Sequence, residues 1–171
     1  MNPFGKVFGI IIGVLGMVGV IALFYTSEQE KLAQSMVESI TNEFVKEVGN
    51  DGYISEEMWV RLFSKLDATG LSFDIEIEHN HRATYPKEDP YGHTVPGSFV
   101  VVKEKFYTDD IVGKLSADGV YKMTRGDSIR VSITCTRLTQ ASLLRRSLFG
   151  NLSDAGLICA TADGEIRDEA Y

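Results

Sequence analysis

From Val7 to Tyr25 the chain carries nineteen consecutive residues without a charge, twelve of them Leu, Ile, Val or Phe. As a helix rising 1.5 Å per residue, such a run reaches about 28 Å, close to the hydrocarbon thickness of a bilayer. Side chains of this kind favour the bilayer centre by roughly 0.3 to 0.6 kcal/mol each, enough to carry four interior glycines. The sequence therefore predicts a transmembrane helix over 7–25. Lys6 precedes the run and Glu28 and Glu30 follow it, so the positive-inside rule places residues 1–6 in the cytoplasm and the remainder outside. A cleaved signal peptide is the competing reading, but its apolar region spans about 7 to 15 residues before a small-x-small site, whereas here the run continues into Phe24-Tyr25.

Gly5, Gly9, Gly13 and Gly16 share one face of this helix and include a GxxxG spacing. A face without side chains lets a second helix approach closely, so other membrane helices are expected partners alongside the lipid bilayer.

No proline or glycine interrupts residues 26–48. Leu32, Met36, Ile40, Phe44 and Val48 recur every fourth residue, which predicts an amphipathic stalk helix over 26–48, continuous with the span and packing its stripe on the chain's own head. Gly49-Asn50-Asp51-Gly52 ends it. Ser55 then offers an N-cap to a second helix, with Glu56 and Glu57 in its first turn and Trp59, Leu62, Phe63 and Leu66 along its buried face.

Beyond Gly70 the period falls to two. Phe73, Ile75 and Ile77 alternate with Asp74, Glu76 and Glu78, a half-buried strand with an acidic outer face. Residues 80–97, with three of the four prolines, read as a polar loop, and 98–106 as a second strand. Residues 119–123 and 129–135 read as a hairpin through Arg125-Gly126-Asp127, 138–152 as either a short helix or an amphipathic excursion, and Asp163-Gly164 as the turn of a closing hairpin. Residues 49–171 thus form one extracytoplasmic head of ordinary single-domain size.

The charge is −7 overall, and with Lys6 set aside −8 over residues 28–171, which opposes binding to nucleic acid. No GxSxG elbow or glycine-rich phosphate loop occurs, so neither catalysis nor a cofactor is expected. His79 and His81, two apart on a strand, are the candidate metal ligands, with His93, Asp89 and Glu78 as conceivable additions; the plainer expectation is surface histidines and no metal. Arg125-Gly126-Asp127 matches an adhesion tripeptide but is expected to serve as a turn. Cys135 and Cys159 are either two buried thiols or, outside the cell, a disulfide worth about 3 kcal/mol if their strands are neighbours.

The order of parts, with Tyr25 to Val48 as stalk, Gly52-Tyr53-Ile54-Ser55 leading into the second helix, and Tyr121-Lys122-Met123-Thr124-Arg125-Gly126-Asp127 before a strand, resembles the TadE-like, pseudopilin-like minor pilins of Tad-type pilus clusters in Gram-positive bacteria. That family usually carries glutamate at the fifth position of the processed helix. Counted from Lys6, this position is Ile10. The resemblance implies an α+β, pilin-like fold: a transmembrane helix continuing into a stalk, a second short helix, then a small antiparallel β-sheet head. It also implies a non-enzymatic minor or accessory subunit of a pilus or secretion apparatus, with other pilin-like subunits as partners. A membrane-anchored, extracytoplasmic ligand- or metal-binding module is the alternative.

Overall fold

The computed structural model describes residues 3–88, 94–150 and 157–168. They form an α+β protein in which one long helix, apolar in its N-terminal half, leads into antiparallel sheets.

Helix α1 runs unbroken from Pro3–Asp51. Its first part stands clear of the head, with residues 3–18 exposed throughout, while Val37, Thr41, Phe44, Val45 and Val48 are buried. The helix is long and apolar enough to cross a membrane. The stalk stripe is where expectation and structure differ. Leu32 is 64% exposed and Met36 57%, Ile40 is partly buried, and only Phe44 and Val48 lie in the core. The reason is angular: a four-residue step advances about 400°, so the stripe drifts about 40° per step and about 160° from Leu32 to Val48. A straight helix offers the sheet a row of alternating four- and three-residue steps instead, and that row is Val37, Thr41, Phe44 and Val48, with Val45 beside it.

Strand β1 (Tyr53–Ser55) leads into α2 (Glu56–Asp67), whose N-cap Ser55 accepts a 3.2 Å hydrogen bond from the Met58 N–H. Helix α2 buries Met58, Leu62 and Leu66, with Trp59 partly buried and Phe63 at the surface. The two long strands β2 (Phe73–Glu88) and β3 (Thr94–Tyr107) pair antiparallel from Glu78↔Tyr107 out to Glu88↔Thr94. Much of the expected loop over 80–97 is therefore strand. Pro86 is tolerated because β5 pairs with β2 only as far as Asn80, so beyond that point β2 needs hydrogen bonds on one side alone.

Helix α3 (Thr108–Asp118) was not expected from the apolar pattern, which gives it only Ile111 and Leu115 as buried residues. Its signals are local: the Asp110 carboxylate accepts from the Tyr107 N–H, and Gly119 closes it at φ +72°. Strand β4 (Val120–Lys122) pairs with β1, not with β5 (Ser128–Cys135), so the expected hairpin through Arg125-Gly126-Asp127 does not form. That turn instead carries the chain from the two-stranded sheet to the four-stranded one.

Helix α4 (Gln140–Phe149) starts at the N-cap Thr139. Strand β6 (Cys159–Glu165) completes the order β3-β2-β5-β6. Asp163-Gly164 lies inside β6 rather than at a closing turn, because Gly164 is where the strand meets α1. Helix α1 runs alongside the β6 edge: the Gln34 amide donates to the Cys159 carbonyl at 2.7 Å and accepts from its N–H at 3.2 Å, and the Arg167 N–H donates to the Gly49 carbonyl at 2.8 Å. The core lies between α1, α2, α3 and the inner faces of β2, β5 and β6.

Candidate functional site

Ile75, Ile77, His79 and His81 form the inward row of β2, since alternate residues face one side of a strand. Where the apolar core ends, imidazoles replace the isoleucines. His79 is buried, so the expectation of surface histidines is corrected. Three other elements close around it. Phe106 of β3 stacks on its ring at 5.6 Å, Tyr121 of β4 meets it edge-on, and the turn before β5 brings Asp127, 1% exposed, beneath it.

The hydrogen bonds converge on the Asp127 carboxylate. It lies 2.9 Å from His79 Nε2 and 2.9 Å from His81 Nδ1, and accepts from the Thr124 N–H at 2.9 Å and the Arg82 N–H at 3.1 Å. Burial alone would raise its pKa, but the His81, Thr124, Arg82 and His79 donors outweigh burial and hold the carboxyl below its ordinary value. Burial pushes His79 in the direction of the neutral imidazole, against the opposing pull of Asp127. A neutral His79 that donates from Nε2 to Asp127 has an acceptor at Nδ1, and this atom is 2.7 Å from the Tyr121 hydroxyl. Tyr121, pushed up to about 12 by burial and then by Asp127 and Asp110, remains the donor that pairing requires. Gly126, at φ +89°, shapes the turn that delivers Asp127.

The same atoms form a ligand set. His79, His81 and Asp127 each offer one donor atom, all within 4.8 Å of one another. Two imidazoles and a carboxylate suit a divalent transition metal with positions left open to water or another ligand. Loading would move the His79 proton from Nε2 to Nδ1, reversing the Tyr121 bond and giving the outer-shell contact that metal-bound imidazoles require. Glu78 is not part of the set, since it faces outward and pairs with Lys105 at 2.6 Å. His93 and Asp89 lie outside the described residues. Asp127 was the residue missed: no periodicity marks it, and only the Gly-Asp pair after a short strand signalled a turn worth inspecting. Its burial also removes the adhesion-tripeptide reading, which needs an accessible aspartate.

Gly5, Gly9, Gly13 and Gly16 are exposed, and a Cβ placed on any of them meets no atom within 4 Å. The disulfide expectation is corrected by register. Thr134 and Cys159 are partners across β5 and β6, so Cys135 and Cys159 point to opposite faces of the sheet; Cys135 is buried, Cys159 is exposed and both are free. No family model, no curated protein and no solved structure matches the chain.

Proposed function

We propose that the protein is a membrane-anchored, non-enzymatic minor pilin or accessory subunit of a Tad-type or type IV-like pilus or secretion apparatus, with its head outside the cytoplasm. One observation carries the reading: a single helix is exposed and apolar through residue 18 and buried against an antiparallel sheet from Val37 to Gly49. Such a helix has no core of its own to enter at its front end, so lipid and neighbouring helices are its natural surroundings. The open glycine face supplies a smooth contact for those neighbours. Lys6 before the span and Glu28 and Glu30 after it support the orientation. On the head, Phe99 and Val101 stand exposed on one face of the β2–β3 hairpin, and among the described residues β3 is the edge strand of its sheet, as expected of a surface that meets other subunits.

Photocrosslinkers placed at Gly9 and Gly13 in the producing cell test the proposal. Adducts with other pilin-like membrane chains are the expected result. Cells in which a surface protease digests the head but neither position yields a protein adduct would refute the subunit role and keep the anchor.

The His79, His81 and Asp127 set favours a second reading, an anchored metal-binding module. Elemental analysis of the full chain after dialysis against zinc would show about one equivalent, lost in the His79→Ala, His81→Ala variant, if that reading holds; the same trace content in both would remove it.

A further inference from the structure

The outer face of the four-stranded sheet, turned away from the core, carries its charge unevenly. Its middle is internally paired, Glu78 with Lys105 at 2.6 Å and Arg130 with Asp163 at 2.6 Å. Towards Phe73, β2 presents Asp74 and Glu76, exposed carboxylates two apart on this face, whose register partners on β5 are Thr134 and Ser132 and bring no cation. Asp109 joins them around a cavity of 490 Å³. Towards the hairpin tip the sign reverses. Arg82 and Lys103, both exposed, are register partners on β2 and β3, so two cations stand side by side. Like charges placed directly opposite each other destabilise a strand pair. Val101 and Phe99 follow on the same face, 59% and 66% exposed.

The two patches stand at different distances from the apolar run. Helix α1 passes β6 in the same direction, with Gln34 at Cys159 and Gly49 at Arg167, and β6, β5 and β2 alternate in direction, so β2 runs away from that run. The acid patch is therefore the near end of the face and the cation pair the far end, about seven residues or about 24 Å farther out. Two copies held side by side at one height set like patch against like. A copy displaced outward by about 24 Å, and turned so that the outer faces meet, lays its acid patch on the cation pair of the copy below. We propose that this face is a head-to-tail contact between two copies of the chain, in which Arg82 and Lys103 of one enter the cavity beside Asp74, Glu76 and Asp109 of the next. A second copy fits because it brings the opposite charge on a matching strand face, and Val101 and Phe99 lose water against it. The contact is heterologous, so each copy keeps one patch for a further neighbour and the contact can repeat along an axis. It lies on the side of the sheet away from α1 and leaves the glycine face open to membrane helices. This inference rests on the subunit reading above.

Cross-linking between two differently tagged full-length copies in the producing cell tests it. Both copies carry Cys159→Ser, since Cys159 is exposed on the same face. One has Thr84→Cys beside Val101 on the hairpin, the other Ser132→Cys beside Glu76, and a short bismaleimide is added. A mixed-tag species is the expected result. Arg82→Glu with Lys103→Glu in the first copy should lower its yield about five-fold or more, and adding Asp74→Lys with Glu76→Lys to the second should restore at least about half, since the swap rebuilds the attraction with its sign reversed. A yield unchanged by the first reversal, or linkage only from Thr84→Cys to Thr84→Cys in copies that both carry it, overturns the head-to-tail contact. No mixed-tag species while the crosslinkers at Gly9 and Gly13 still capture other membrane chains overturns this inference and leaves the subunit role standing. Absence of both kinds of adduct overturns the two together. Recovery in the swapped pair shows that the reversed copy is folded.

Discussion

Gly164 provides a stringent test of how α1 and the sheet fit. It lies inside β6 with a φ outside the left-handed region, so its value is lack of bulk, not conformational freedom. A Cβ at this position would sit 2.5 Å from Val45 Cγ1, 3.4 Å from the Val45 carbonyl oxygen and 3.7 Å from Ile129 Cγ2. Carbon atoms pack at about 3.5 to 4.0 Å, so the first contact overlaps by 1 Å or more at about the ordinary minimum. Val45 cannot swing aside, because a β-branched side chain in a helix has essentially one χ1 rotamer. The backbones must separate, against the Gln34 amide at Cys159 and the Arg167 N–H at Gly49. Overpacking of this kind costs about 2 to 3 kcal/mol, offset by about 0.5 to 1 from replacing a strand glycine, which leaves Gly164→Ala destabilised by about 2 kcal/mol. Urea unfolding of residues 27–171, followed by far-UV circular dichroism, reads this as a midpoint lowered by about 1 M for a slope near 2 kcal/mol/M. Val45→Ala alone should also cost about 2 kcal/mol, but the double variant should recover at least about 1 kcal/mol of the sum, since each change supplies the room or the methyl the other lacks. A Gly164→Ala midpoint within about 0.15 M of the parent, or strict additivity in the double variant, would refute the packing argument.

Asp127→Ala strands the Thr124 and Arg82 N–H groups and a buried imidazole, so the same urea assay should show a loss of about 3 kcal/mol, with a parent-like midpoint counting against the network. Acid should weaken the chelator-treated head in one direction only: His79 and Asp127 both bind protons less readily folded than unfolded, so stability is full above the ordinary histidine value of about 6.5, declines as pH falls through the lowered pKa of His79, and declines again below about 3.8 as Asp127 is protonated. Urea midpoints at pH 7.5 and 5.5 check the first decline. Cys159 should react with maleimide in the folded protein and Cys135 only after unfolding, with no reducible mobility shift; equal reactivity would contradict the opposed faces. Residues 27–171 should fold without the span, whereas 52–171 should not, because the sheet would lose Val37, Phe44, Val45 and Val48; cooperative unfolding of the shorter chain would show that α1 is not part of the core.

Features carried by local chemistry were legible. The uncharged run marked the front of α1, Ser55 marked the start of α2, and the alternation of Phe73 to Glu78 marked β2 with its acidic outer face. Features set by long-range pairing were not. The turn through Gly126 could have joined two strands of one sheet, and nothing local says that β4 prefers β1; that choice follows from the Gly52 carbonyl accepting from the Met123 N–H across the fold. Asp163-Gly164 has the composition of a hairpin turn, yet it serves as a strand because α1 needs a surface without a side chain there. The functional cluster shows both limits at once. His79 and His81 were visible as a spaced pair, but their partner Asp127 is 46 residues from His81 and meets it only through sheet pairing.

Continuity of α1 turns these separate features into one arrangement. At 100° per residue, the row buried by the sheet (Val37, Thr41, Phe44, Val45 and Val48) and the glycines at 5, 9, 13 and 16 have mean directions about 50° apart. The head therefore overhangs the side on which the glycines lie. A partner helix seated on those glycines in the proposed assembly would run up beneath the head and would have to end or tilt away near Glu30, where Thr139 and Ser142 meet α1. Because no glycine or proline interrupts residues 20–48, the head cannot swivel to clear that space without twisting the helix itself. In that assembly the partner would be selected by the height at which its own span meets the surface as well as by its fit to the glycines. Enlarging Gly13, whose Cβ would touch nothing in this chain, would block that partner while leaving the head's fold intact.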